Sequence, residues 1–201
     1  MRIGVDLGGT NVRVGLVDEG RIVRLLSEPC RADRSEEEVL GHIASLIERL
    51  MAPGVECIGI GVPSVVDAVR GIVYNVVGIP SWREVHLKER FEERFGIPVY
   101  VNNDCNCFAL GVCRFGEALG CRDVVCIALG TGVGAGIVID GRLYSGPNTG
   151  AGEIATTNTT AAAASSSDAE RRARRPSSGP LREIPGRWPC GVSSAGTSDS
   201  L

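Results

Sequence analysis

Two stretches, Val5–Ile22 (VDLGGTNVRVGLVDEGRI) and Ile127–Leu143 (IALGTGVGAGIVIDGRL), are versions of one pattern. Each runs as an apolar segment, a Gly-Thr turn, a second apolar segment, an acidic-Gly turn and a third segment. Ile3, Val5 and Leu7 alternate along the first segment and stop at Gly8-Gly9-Thr10. Alternation of period two bounded by turn residues predicts strands, so each stretch reads as an antiparallel meander. The second carries its own glycine turn at Gly130-Thr131-Gly132 and its own acidic turn at Asp140-Gly141, matching Asp18-Glu19-Gly20. Two such halves facing each other would form a cleft with a glycine loop on each side.

The sequence between the repeats adds helices. In SEEEVLGHIASLIERLM, Ser35 and Glu38 form a capping box, and Val39, Ile43, Leu46, Ile47 and Leu50 share one helical face. ECIGIGVPS reads as a buried strand entering a loop. LKERFEERFG reads as a second helix, closed by Gly96 with Pro98 beyond it. VYVNNDC is a strand ending on polar residues, and NCFALGVCRFG a helix with Phe108, Val112 and Phe115 on a stripe. Residues 1–102 therefore read as three strands, helix, strand, helix, strand, an α/β class. His42 and His86 lie on helical stretches near charged residues and are expected to be solvated.

Composition bounds the function. The chain has 201 residues, 43% of them hydrophobic, enough to bury a core. It has no run of eighteen apolar residues and no leader pattern before the first strand, so a cytoplasmic protein is expected. A net charge of −3 gives no sign of a nucleic-acid partner. The eight cysteines include no C-x-x-C pair and mostly sit in apolar surroundings, so buried thiols are expected rather than disulfides or a zinc site.

Both glycine loops follow buried strands. Glycine lets backbone N–H groups approach an anion, and threonine adds a hydroxyl donor. Neither loop has the Walker or Rossmann spacing, and a lone Gly-Gly-Thr is usually a plain hairpin turn; two in matching contexts favour phosphate binding. Asp6 lies on the strand entering the first loop, where it either caps the turn or holds Mg²⁺ beside phosphates. Asn103 and Asp104 stand at a strand end before a helix. Such residues commonly cap the helix, and a carboxylate there also stays ionised and able to accept a hydroxyl proton. Ser64 and Glu153 are loop residues with weak individual signals.

Together these motifs resemble the ROK family of sugar kinases and sugar-responsive repressors. The resemblance rests on GVDLGGTNVRVGLVD, GIGVPSVVD, IPSWREVHLKERFEERFGIPVYVNNDCNCFALG and IALGTGVGAGIVIDGRLYSGPNTGAGEI, in family order over nearly all of residues 1–154. It implies an actin/hexokinase-like (ribonuclease H-like) two-domain ATPase fold. Residues 1–119 would form the first α/β domain and residues 120–154 the start of an incomplete second. It implies ATP and Mg²⁺, with Gly8, Gly9 and Thr10 as one phosphate loop, Gly130, Thr131 and Gly132 as the other, and Asp6 near the metal. It implies Asp104 as general base, Asn103 and Glu153 on sugar hydroxyls, and Ser64 on a loop approaching the sugar. The substrate would be a hexose or N-acetylhexosamine, with glucose, N-acetylglucosamine, N-acetylmannosamine, fructose and allose all represented among related proteins. A homodimer is a further expectation.

The family continues GEI with Gly-His, then a cysteine-rich structural zinc motif. Here Ala155-Thr156 follow instead, and the zinc ligands are absent. Residues 155–201 are rich in Ala, Ser, Thr, Arg, Pro and Gly, with Trp188 as their one aromatic. This is either a low-complexity tail or the product of a frameshift. Reading each codon of ATTNTT one base earlier permits Gly-His-His-Glu-Tyr-Asp, which restores the family text. Arg supplies 20 of the 21 basic residues, which fits a GC-rich gene read out of frame, and the frameshift is the expected reading. On either reading this 201-residue chain is expected to be an impaired or poorly folded relative of a glucokinase-type enzyme. The alternatives are a sugar-responsive transcriptional regulator, disfavoured because Met1 directly precedes the first strand with no DNA-binding segment, and a non-catalytic, vestigial sugar-binding fragment.

Overall fold

Alternating apolar residues form β1 (Arg2–Leu7), with Ile3, Val5 and Leu7 buried on one face and Gly4 and Asp6 on the other. It pairs with β2 (Asn11–Asp18), which turns through Glu19 and Gly20 at φ 47° and 79° into β3 (Arg21–Pro29). Two consecutive positive-φ residues suit a tight hairpin between twisted strands, and Gly20 meets that demand without strain. The computed structural model describes residues 1–76, 78–129, 132–146 and 149–153.

The expected capping box opens α1 (Glu36–Leu50). Ser35 accepts from the Glu38 amide, and the Glu38 carboxylate accepts from the Ser35 amide at 3.1 Å. Next come β4 (Ile58–Val62), the short strands β5 (Val65–Asp67), β6 (Ile72–Tyr74) and β7 (Glu84–His86), then α2 (Leu87–Phe95). Gly96 ends α2 at φ 66°, donating back to the Glu92 carbonyl. After β8 (Val99–Asn103) follow α3 (Asp104–Phe115), β9 (Val124–Leu129), β10 (Val133–Ile139) and β11 (Arg142–Leu143).

The first sheet has the order β3-β2-β1-β4-β8, with β1, β4 and β8 parallel. Its apolar face packs with α1, α2 and Trp82 into the main core. The second meander forms its own sheet, β11-β10-β9, turning at Asp140 and Gly141 with φ 53° and 74°. The two meanders thus share one architecture, as the repeat predicted. A small sheet, β5-β6-β7, was not anticipated; three-residue strands hold too little periodicity to read.

Two expectations are corrected. His42 is buried, 6% exposed, because α1 lays this face on β3; its Nε2 lies 3.0 Å from the Pro29 carbonyl oxygen. His86 is half-exposed as expected, but it ends β7 between Glu84 and Glu89 rather than lying on a helix. On α3 the stripe of Phe108 and Phe115 is exposed, and the buried positions are Asn106 and Ala109. The cause is the glycine surface under α3, which admits small residues and excludes rings. Cys30 and Cys126 are buried, while Cys57, Cys105, Cys107 and Cys113 are half-buried thiols.

Candidate active site

The candidate site gathers where β8 passes into α3. Parallel strands β4 and β8 end together there, with Gly61 beside Asn102 and Val62 beside Asn103 in the ladder. Strand ends of this kind are where ligands of open α/β sheets collect. Asn103 caps α3: its Oδ1 accepts from the Asn106 amide at 3.1 Å. Its Nδ2 donates to the Ser64 carbonyl at 3.3 Å, and the Ser64 hydroxyl donates to the Tyr74 carbonyl. One asparagine therefore fixes both the helix start and the loop after β4.

Asp104 is the first residue of α3. Its Oδ1 accepts from the Cys105 amide at 2.8 Å, which ties the carboxylate to the helix N-terminus. Two neighbours went unassigned in the sequence. Asn102 Oδ1 accepts from both the Asn103 amide, at 2.8 Å, and Asn106 Nδ2, at 3.1 Å. Asn106 is 4% exposed, and its Oδ1 has no partner among the described residues. A polar side chain buried one turn into an otherwise apolar helix was the available signal.

Glycines bring the remaining pieces close. A Cβ on Gly61 would lie 3.6 Å from the Asp104 Cα. A Cβ on Gly134 would lie 2.5 Å from Cys105 Sγ, and one on Gly136 the same distance from Ala109 Cβ. So α3 sits directly on β10, and the second glycine hairpin lies against the Asp104 turn. Gly152, at φ 93°, accepts from the Ala135 amide at 2.8 Å and hands the chain to exposed Glu153. Across the first loop, Gly8 donates to the Asn11 carbonyl at 2.9 Å, and Gly9 rests against Gly78. Thr10 is exposed, and its carbonyl accepts from Cys30. Gly132 is described and exposed; Gly130 and Thr131 lie outside the described residues, as does everything from Ile154 onward, including the expected change of frame.

The electrostatics connect these groups. Burial pushes the Cys105 thiol up to about 11, helped by the charges of Asp104 and Glu153. Cys107 is pushed up to about 11 by burial, then by Asp104 and Asp6. Asp6, Asp104 and Glu153 thus all act on one helical turn. Asp6 faces Arg13 across the β1–β2 pair, with Arg13 Nη1 3.2 Å from Asp6 Oδ2. Mg²⁺ commonly rests on one or two carboxylates plus substrate phosphates, so Asp6 beside a glycine loop fits it. Among the described residues there is no group of three or more His, Cys, Asp or Glu placed to hold a metal ion; the expected position of the zinc motif lies outside them. No described helix is long and apolar enough to cross a membrane.

The sequence model of the ROK family matches residues 2–165, which is most of the chain. The chain belongs to the ROK family. It is 40% identical to the glucokinase of Streptomyces coelicolor over 148 residues, 73% of this chain and 46% of that one. It is 33% identical over 162 residues to the xylose repressor of Caldicellulosiruptor bescii, covering 77% of this chain and 40% of the repressor. Among solved structures, the ROK glucokinase of Streptomyces griseus in complex with glucose and AMPPNP superposes with a TM-score of 0.70 at 39% identity. That match covers 76% of this chain and 49% of the other. This ROK chain has the actin-like ATPase fold of that family and spans about half the length of the relatives it matches.

Proposed function

We propose that the site belongs to an ATP-dependent sugar kinase of glucokinase type, acting on a hexose hydroxyl. The observation that carries this reading is the β8–α3 junction, where Asn103, locked by Ser64 and Asn106, holds Asp104 at the start of a helix whose Cys105 and Ala109 rest on Gly134 and Gly136. The named likeness to enzymes of Streptomyces that handle glucose and an ATP analogue supports it.

On this reading Asp104 accepts the proton of the attacking hydroxyl. The hydrogen bond it accepts from the Cys105 amide fixes its orientation at the α3 N-terminus. Asn103 and Glu153 bind sugar hydroxyls, and Ser64 shapes the loop beside Asn103. Gly8, Gly9 and Thr10, together with Gly130, Thr131 and Gly132, supply the N–H and hydroxyl donors for the phosphates. Phosphoryl transfer asks mainly for positioning and charge neutralisation, which these groups provide. Mg²⁺, when held through Asp6, supplies part of that neutralisation. The 201-residue chain alone is proposed to lack turnover, because Val125, Ile127 and Leu129 of the second sheet stay exposed.

The test uses a hybrid in which the matched stretch of the S. coelicolor glucokinase is replaced by residues 1–153 of this chain. ATP-dependent phosphorylation is measured over a panel of hexoses and N-acetylhexosamines. Turnover is expected, with Asp104→Asn lowering kcat by roughly 10²–10⁴-fold and sugar affinity much less. A hybrid that folds, binds sugar and turns over equally with Asn at 104 would overturn the assignment. Because the C. bescii xylose repressor is also a relative, sugar binding without ATP consumption would favour a regulatory reading instead.

A further inference from the structure

Asn106 is the hydrogen-bond node of the β8–α3 junction. Its main-chain N–H donates to Asn103 Oδ1, and its side-chain Nδ2 donates to Asn102 Oδ1, each at 3.1 Å. Asn102 Oδ1 also accepts the Asn103 main-chain N–H at 2.8 Å. Both polar ends of Asn103 are thereby tied to one residue, its side chain directly and its amide through Asn102. Asp104 is the next residue along the chain, so the same ties set where it begins.

The network also fixes which way the side-chain amides face. A main-chain N–H only donates, so the Asn102 atom that meets it is the oxygen. The Asn106 atom that meets this oxygen is then the nitrogen, which turns Asn106 Oδ1 the other way. No described residue donates to that Oδ1, although Asn106 is 4% exposed. The described packing therefore uses the donor half of the amide and not its acceptor half. Leucine has the same branched outline with no polar atom, and a buried amide costs stability where it is not hydrogen-bonded. A half-used amide at a buried position points to a requirement other than stability, and such departures from packing rules gather at functional sites. Helix phase suits the arrangement. Positions 104 and 106 differ by about 200° around a helix axis, so Asn106 is buried while Asp104 stays half-buried.

We infer that Asn106 is a positioning residue for Asp104: acting through Asn102 and Asn103, it holds the start of α3 where that carboxylate meets the acceptor hydroxyl. The inference rests on the reading of Asp104 as general base. Without the Nδ2 donor, Asn102 Oδ1 loses its anchor to the helix and the Asn103 amide is held only by a neighbour that is itself free to turn. The cap that Asn103 places on the Asn106 amide survives, so the helix forms but its first residue shifts. A small misplacement of a reacting group costs rate far more than affinity.

Two variants test this: Asn106→Leu removes the donor and keeps the outline, and Asn106→Asp donates only while protonated. In the 201-residue chain, Cys105 alkylation at fixed pH reports the placement of Asp104, whose carboxylate is bonded to the Cys105 amide and acts on that thiol. Cys30, 1% exposed in the main core, is the internal control. Asn106→Leu should label Cys105 several-fold faster than the parent, with Cys30 unchanged and a melting temperature within a few degrees. Unchanged Cys105 labelling would overturn the inference, and so would equal acceleration of both thiols, which means general loosening. In the hybrid with the S. coelicolor glucokinase, Asn106→Leu should lower kcat roughly 10–100-fold with KM for sugar and ATP near the parent's. The activity of Asn106→Asp relative to the parent should decline as pH rises from about 6 to 9, because burial makes a carboxyl ionise above its ordinary range and the ionised form cannot donate. A leucine variant with the parent's kcat, a loss confined to KM, or a pH-independent ratio for the aspartate variant would each overturn the assignment. A parent hybrid that phosphorylates no sugar would sink the kinase reading instead; the labelling readout needs neither sugar nor ATP and would still decide whether Asn106 holds Asp104 in place.

Discussion

At the scale of single residues, the first turn of α3 holds opposing tendencies. A helix N-terminus lowers a thiol's pKa, yet Cys105 and Cys107 are pushed up to about 11. Burial and the neighbouring carboxylates outweigh the helix. Both thiols should therefore alkylate slowly at pH 8 and accelerate only toward pH 11, and Asp104→Asn should speed labelling of Cys105 at fixed pH. The linkage has a definite sign. An unfolded thiol ionises near its ordinary value while the folded one resists, so the unfolded state sheds protons first. Stability should be intact below about pH 8.5 and fall as pH rises toward 11. Labelling mass spectrometry of the two cysteine peptides and urea unfolding at pH 8 and pH 10.5 check both statements; rapid labelling at pH 8 would contradict them. Asn103 and Asp104 stood out in the sequence because polar residues ended an apolar strand. Arg13 opposite Asp6, and Asn106 behind Asn103, did not, because those pairings depend on hairpin register and helix phase.

Among elements, α3 and β10 depend on absent side chains. Gly136 faces Ala109 and the Cys105 carbonyl so closely that a methyl would sit 2.5 Å from each. Gly136→Ala should therefore destabilise by about 1–3 kcal/mol, the usual range for overpacking, and displace the Asp104 turn from the second glycine hairpin. Gly59→Ala is the matched control, with no neighbour within 4 Å and an expected cost near zero in the same denaturant titration. Equal effects of the two would disprove the close-packing argument. The repeat made both meanders legible, since period two and acidic-Gly turns are local signals. It did not reveal what Gly134 and Gly136, just beyond the Gly130-Thr131-Gly132 turn, do: they are the seat of a helix. Similarly, the apolar periodicity of α1 was plain, whereas the burial of His42 was not. It turns on β3 passing beneath that face and offering the Pro29 carbonyl.

For the molecule as a whole, burial is distributed unequally. The main core runs from Ile3 to Val101 and ties β1, β2, β4, β8, α1 and α2 together. The second cluster has Ala109, Cys126 and Val138 as its buried members, flanked by half-buried Val112, Cys113, Val124 and Leu143. Opening free energy follows buried apolar area, so the β9–β11 meander should open well before the first sheet. Native-state hydrogen exchange should show amides of β9 and β10 exchanging through a low-energy local opening. Those of β1, β4 and α1 should exchange only with global unfolding. The pattern should be sharpest on the free edge of β9, where amides have no ladder partner among the described residues. Uniform protection across both sheets would show that the second meander is as stable as the first, against the difference between the two buried clusters.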